Sequence, residues 1–208
     1  AMKSIVVDKI ASVALSADLA HEIRIDHEIP CEEGVLIAVE VLNTKSTYNT
    51  LELTSGRMAK IKQGDVIVTA LGHRKALFGY SGHLPEQLAP GDTVQLLNLG
   101  GVVGLCDSFN PSHGHPFDCR VLGVVLDFPY LGERVGVPAR VAARELIEKR
   151  SIAGTIPVVA MAGTCMNSGK TAAAATIVSR FRHNRLTIDA FKATGVALRR
   201  DILAMEDA

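Results

Sequence analysis

The chain has 208 residues, 22 Lys+Arg against 22 Asp+Glu, and a hydrophobic content of 48%. That much apolar material supports a packed core and excludes wholesale disorder, while the length allows one large domain or two small ones. Neutral overall charge argues against non-specific nucleic-acid binding, no apolar run approaches the ~18 residues of a membrane span, and Asp8 and Lys9 interrupt any signal-peptide core.

These features predict a soluble, cytoplasmic protein with neither a membrane nor a nucleic-acid partner; a homo-oligomer is compatible with them. Four cysteines, Cys31, Cys106, Cys119 and Cys165, are too few and too scattered for a disulfide scaffold. Ala1 before Met2 reads as a cloning remnant. The neutrality hides an asymmetry: residues 1–132 carry 10 basic and 15 acidic side chains, residues 133–208 carry 12 and 7. A basic C-terminal part suits an anionic ligand, and it also suits simple attraction between the two halves.

In chain order, residues 35–42 (VLIAVEVL) predict a strand, being rich in β-branched residues and too short for a buried helix. Residues 66–68, 76–78, 94–97 and 121–126 read alike, punctuated by Gly and Pro at short intervals, which predicts a closed or half-closed β-barrel rather than βαβ units. An internal echo supports it. Ile61-Lys62-Gln63-Gly64-Asp65-Val66 is matched by Leu88-Ala89-Pro90-Gly91-Asp92-Thr93-Val94. In both, Gly supplies a positive φ and Asp bonds back to its own backbone, so each marks a turn into a strand, as a duplicated hairpin would.

Residues 127–132 read as a loop. Pro138 then stands where a helix can start, since its missing N–H would be unpaired there. Good helix formers continue to Arg150, with Glu145 and Lys149 spaced i,i+4, and Gly154 closes the segment.

Residues 156–162 (IPVVAMA) form a short apolar run that predicts a buried parallel strand. Gly163-Thr164-Cys165-Met166-Asn167-Ser168-Gly169-Lys170-Thr171 follows, and then an alanine-rich helical pattern from 172 to 181. Here Ala174/Val178 and Ile177/Phe181 are spaced to face a sheet. Strand, Gly-rich loop, Gly-Lys-Thr and helix is the context of a P-loop. A phosphate needs several backbone N–H groups aimed at it, and Gly163 and Gly169 let the loop curl that closely. The helix N-terminus adds partial positive charge. Lys170 brings a mobile point charge, and the Thr171 hydroxyl is placed for Mg²⁺.

Five residues, not the common four, separate the two glycines. That spacing, Gly-Thr-x4-Gly-Lys-Thr, resembles the P-loop of dethiobiotin synthetase and its relatives. Residues 186–191 read as the next strand, and Lys192-Ala193-Thr194-Gly195 resembles the Lys-Pro…Gly segment after the second strand of those enzymes, without its Pro. The stretch through Asp201 and Met205-Glu206-Asp207-Ala208 resembles a group of uncharacterised bacterial P-loop proteins within that class. The resemblance covers about residues 155–208. It implies ATP or GTP, with Mg²⁺, bound by Gly163, Thr164, Asn167, Ser168, Gly169, Lys170 and Thr171. Thr171 would be the metal ligand, and Lys170 and Lys192 the catalytic cations, with Lys192 facing an unknown small-molecule substrate or phosphate. The implied activity is ATP-dependent activation of that small molecule.

Weaker constellations carry blander readings beside the functional ones. Cys106, His113, His115 and Cys119 offer zinc-type ligands, but without the short Cys spacing of structural sites they read as a polar hairpin loop. Cys165 near a helix N-terminus allows redox sensitivity, or simply a small residue in a tight loop. His73-Arg74-Lys75 and His83 allow an anion site, or a solvated hairpin end.

The expected architecture is a β-barrel over 2–126, a linker with a helix over 127–154, and over 155–208 the first part of an α/β P-loop NTPase domain. A doubly wound sheet needs about 150–200 residues and a later acidic residue for Mg²⁺. Asp189 precedes Lys192 too closely to be that residue. The sequence therefore predicts a fragment, inactive as an ATPase by itself. The alternative is a regulatory or ligand-binding β-barrel module with a nucleotide switch or a vestigial P-loop.

Overall fold

A computed structural model describes residues 2–76, 78–130, 132, 135–141, 156–164, 168–193 and 198–207. The chain divides into two compact units, Ala1–Ala142 and Ala143–Ala208.

The first unit is mostly β, with short 3-10 helices at Ser12–Ala17 and Pro111–His113. Its strands are β1 (Lys3–Val6), β2 (Lys9–Ile10), β3 (Glu22–Asp26), β4 (Leu36–Val41), β5 (Thr50–Glu52) and β6 (Met58–Lys60), followed by β7 (Val66–Leu71), β8 (Tyr80–His83), β9 (Thr93–Leu96), β10 (Val102–Phe109), β11 (Asp118–Asp127) and β12 (Val137–Pro138). β4 pairs antiparallel with β11 on one side and β7 on the other. β7 runs parallel to β10, β10 antiparallel to β9, and β9 antiparallel to β11. The hydrogen-bonded path β11-β4-β7-β10-β9 thus returns to β11. β1 and β3 extend from β11, β8 from β10, and β5 and β6 form a separate two-stranded sheet.

Side-chain alternation divides the buried residues into two cores. Ile37, Val39 and Val41 of β4, Ile67 and Leu71 of β7, and Val94, Val103, Cys119 and Val121 fill one. Leu36 and Ala38, Val68 and Ala70 point the other way, into a second core closed by Val7, Ile10, Ile23 and Ile25. Being buried on both faces is why residues 35–42 are a continuous apolar run rather than an alternating one. Thr69 sits on the inner face and satisfies its hydroxyl on the Ile37 carbonyl at 3.2 Å.

The repeated Gly-Asp turns are structurally equivalent. Gly64 and Gly91 have φ of +87° and +99°, where glycine is the residue without steric penalty. The Gly64 N–H donates to Val41 O at 2.8 Å and the Gly91 N–H to Val121 O at 2.9 Å. In return, Val41 and Val121 donate to the carbonyls of Asp65 and Asp92. The Asp65 carboxylate accepts from the Lys62 N–H and the Asp92 carboxylate from the Ala89 N–H, both at 2.7 Å. Strand register repeats as well. Glu40 faces Val66 and Val39 faces Ile67 across β4–β7, as Arg120 faces Thr93 and Cys119 faces Val94 across β11–β9. Across β4–β11 the pairs Val41–Cys119 and Val39–Val121 exchange under this relation, and Glu40–Arg120 maps onto itself.

Two local expectations differ from the structure. No strand forms at 76 or 78; the strand is Tyr80–His83, paired with β10, and Leu77 lies outside the described residues. Ser81 Oγ donates to Ala76 O and accepts from the Ala76 N–H, both at 3.2 Å, which folds the 76–81 segment on itself and takes Ala76 away from a ladder. Pro138 does not open a helix. It pairs with Leu126 as part of β12; the Ala139 N–H donates to Val125 O and the Val141 N–H to Gly34 O. Helix propensity loses there to an open ladder position on β11. The remainder of the expected helix, 142–150, lies outside the described residues.

The second unit has two described helices, α1 (Lys170–His183) and α2 (Arg200–Glu206), which pack on each other. The expected strands at 156–162 and 186–191 are not formed: neither segment joins a ladder, and Ile156, Val158 and Phe191 are 83%, 82% and 82% exposed. A parallel strand needs neighbours to pair with and cover on both faces, and no strand of this unit lies among the described residues to supply the pairing. Of the residues expected to face a sheet, Val178 is buried, Ala174 and Ile177 are half-buried and Phe181 is exposed.

Candidate functional site

α1 starts immediately after Gly169, which caps it with φ +84° in the left-handed region. The turn brings the chain back so that the Lys170 side chain lies over Gly163. A Cβ placed on Gly163 would stand 2.8 Å from Lys170 Cδ, 3.1 Å from Lys170 Nζ and 3.1 Å from Ser168 Oγ. A side chain at 163 would force the Lys170 side chain to shift. Lys170 Nζ donates to Ser168 Oγ at 3.0 Å, so the ammonium is held beside the helix N-terminus.

No acidic side chain stands in the first turn of α1, whereas Arg180, Arg182 and His183 stand in its last turn. The last-turn charges complement the helix dipole. Thr171, the second helical residue, is half-buried, and Thr164 is exposed. Cys165, Met166 and Asn167 lie outside the described residues, and so do Thr194 and Gly195 of the second motif.

Lys192 lies elsewhere in this unit and has a partner that sequence reasoning missed. Its ammonium forms an ion pair with Asp201 in the first turn of α2. Both side chains are about a quarter exposed, and Arg200 Nε stands 3.8 Å from the same carboxylate. The spacing offered one signal only, a carboxylate at a helix start nine residues after a lysine.

His113 and the basic hairpin have partners within the first unit. His113 stacks on Tyr48 with ring centroids 4.7 Å apart, and its carbonyl accepts from Lys45 Nζ, Thr47 Oγ1 and Tyr80 Oη. Burial pushes the Tyr80 phenol up to about 12 and lowers the Lys45 ammonium. Cys119 is buried, and burial, aided by the Asp118 charge, pushes its thiol up to about 12. Burial also raises the half-buried Cys106. Among the described residues no three His, Cys, Asp or Glu side chains converge as a metal group. Arg74 bonds the Leu97 carbonyl, His73 Nδ1 accepts from the Leu84 N–H, and His83 Nδ1 pairs with Asp107 at 2.7 Å. The basic hairpin is thus engaged within its own unit. Among the described residues, no helix is long and apolar enough to cross a membrane.

Compared with protein-family models, with curated proteins and with solved structures, the chain matches none.

Proposed function

We propose that this is a nucleotide-binding protein whose second unit holds the phosphates of ATP or GTP at Gly163–Thr171. The observation that carries this reading is the Lys170 side chain folded over Gly163 onto Ser168, at the mouth of a helix opened by left-handed Gly169. A loop that places a lysine and a helix N-terminus side by side is suited to a polyphosphate. Ser168 Oγ accepts one hydrogen bond from the Lys170 ammonium.

Mg²⁺ fits this donor set only as an ion shared with the nucleotide. The Thr171 hydroxyl supplies one hard oxygen, and Mg²⁺ characteristically completes its shell with phosphates and water. The bound ion would neutralise phosphate charge. The chain's own share is to orient the polyphosphate through the amides of 168–171 and to stabilise developing negative charge with Lys170. By the resemblance described above, the reaction is ATP-dependent activation of a small molecule, with Lys192 facing that substrate or a phosphate. The returning ladder β11-β4-β7-β10-β9 supports reading the first unit as a β-barrel that accompanies the nucleotide unit.

Calorimetry with ATP–Mg²⁺ and with GTP–Mg²⁺ on wild type and Lys170→Ala tests the assignment. Binding weakened at least tenfold in the variant is expected. Equal heats in the two proteins overturn it.

A further inference from the structure

We propose that the first unit carries a stacking site for a small, uncharged, planar heteroaromatic ligand of the nucleobase or nucleoside class, built on Phe78, Phe109 and the His113 imidazole. The site is separate from the phosphate loop and does not depend on the reading of the second unit.

The chain is poor in aromatics, with six Phe, three Tyr and no Trp, yet it brings Tyr48, Phe78, Tyr80 and Phe109 together. Phe78 meets His113 edge-on with centroids 6.0 Å apart, His113 and Tyr80 lie 6.4 Å apart, as do Tyr80 and Phe109, and Phe109 meets His115 edge-on at 5.5 Å. Core packing accounts for only part of this line of rings. Tyr80 is buried, but Phe78 is 62% exposed and Phe109 41%. Rings left that open add little to the core, and exposed aromatic faces are the groups on which flat ligands stack.

The support beneath these rings is already built. Tyr48 has a φ of +49°, a left-handed backbone that is costly for a bulky residue, and its ring stacks on His113 at 4.7 Å. The His113 carbonyl accepts from Lys45 Nζ, Thr47 Oγ1 and Tyr80 Oη, which fixes the turn that carries the imidazole. These bonds all use the backbone oxygen. Among the described residues, the ring nitrogens of His113 have no hydrogen-bond partner. A neutral imidazole offers one donor and one acceptor, which match the polar edge of a heteroaromatic ring.

The local charges point to an uncharged ligand. Lys45 Nζ lies 5.5 Å from the Tyr80 centroid, but it donates to the carbonyls of His113 and His115. Asp107 on β10 is paired with His83. Residues 1–132 carry 10 basic against 15 acidic side chains, a balance that opposes a phosphate-bearing strand.

NMR titration of the full chain with adenosine tests this, following the imidazole C–H signals assigned with His113→Gln and His115→Gln. The His113 signal is expected to shift saturably with adenosine and to stay unmoved with ribose. Phe78→Ala and Phe109→Ala should each weaken binding about fivefold or more, while Phe78→Tyr and Phe109→Tyr, which keep a ring, should retain it. Phe128→Ala, which removes an exposed ring outside the cluster, should bind as wild type does. The assignment is overturned if millimolar adenosine leaves the His113 signal unmoved, if both alanine variants bind as wild type does, or if Phe128→Ala loses as much as they do. An oligoadenylate strand that binds where adenosine does not overturns the choice of an uncharged ligand. A dimer that Phe78→Ala abolishes, in a protein that ignores adenosine, makes a second copy of the chain the occupant and overturns the proposal as well.

Discussion

Glu40 and Arg120 face each other across the β4–β11 ladder, Arg120 Nη2 donating to Glu40 Oε2 at 2.6 Å, on the pair that the repeated register maps onto itself. The two strands that meet there each receive a Gly-Asp turn on their outer side, Gly64-Asp65 on Val41 and Gly91-Asp92 on Val121. The ion pair marks the midpoint of a duplicated plan, but both side chains reach water. Glu40→Gln should therefore cost less than about 1 kcal/mol in urea unfolding at low salt, and less still at high salt. A larger loss would mean that the pair, and not the backbone ladder, holds β4 to β11.

The two equivalent aspartates should not be equally important. Both tie the turn through one backbone N–H, but Asp65 also accepts from Lys9 Nζ at 2.6 Å, in a pair whose side chains are 14% and 11% exposed. Asp92→Ala removes a turn bond, worth about 1 kcal/mol. Asp65→Ala removes the same bond and strands a mostly buried ammonium, for about 2–4 kcal/mol. Denaturant midpoints of the two variants give the comparison, and similar losses would show that Lys9 contributes nothing.

The raised thiol and phenol of the first unit predict an alkaline instability. Cys119 and Tyr80 are each held to about 12 in the folded chain, against unfolded values of about 8.5 and 10. The unfolded chain releases these protons first. Their stabilising contribution is thus complete below the unfolded values and is lost as pH climbs towards 12. Unfolding followed from pH 8 to 11.5 should show this decline, and Tyr80→Phe should make it shallower. In the folded protein at pH 8.5, iodoacetamide should modify the half-buried Cys31 and Cys106 ahead of Cys119, with mass spectrometry as the readout.

Gly163→Ala is a sharper probe of the phosphate loop than removal of its lysine. The new methyl would stand 2.8 Å from Lys170 Cδ and push that side chain off its rest. The ammonium charge is kept while its position is lost. ATP–Mg²⁺ affinity should fall about tenfold with the α1 circular-dichroism signal unchanged, since positioning of this kind is worth on the order of 1–2 kcal/mol. Unchanged affinity would show that the fold of Lys170 over Gly163 is irrelevant to binding.

How far the sequence was legible depended on how each residue's job is encoded. β4 and most of β11 were readable because burial on both faces leaves a run of β-branched residues. β10 was not: Gly104, Cys106, Asp107 and Ser108 interrupt it, and Gly104 is small because a Cβ there would meet the His83 carbonyl at 2.6 Å. Its strand character comes from its partners β7, β8 and β9, which no local window contains. Pro138 was ambiguous for the opposite reason, since fixed φ and a missing donor suit a helix start and a strand end alike. In the second unit, the approach of Lys170 to Gly163 is a local geometry, within reach of sequence spacing. The Lys192–Asp201 pair is not, because it depends on how α2 returns to the extended segment.

β11 has a consequence for how the chain is made. It pairs with β3, β4, β9 and β12, so residues 118–127 supply partners to strands that begin as early as Glu22. During synthesis β3 and β4 emerge about eighty to a hundred residues ahead of the strand that completes their ladders, and pairings so distant in sequence form slowly. Until Asp127 has left the ribosome, β3 and the free side of β4 are open edges. The first unit is therefore most exposed to misassembly as a nascent chain, and a stall or truncation shortly before Asp118 should yield insoluble product where one shortly after Ala142 should not.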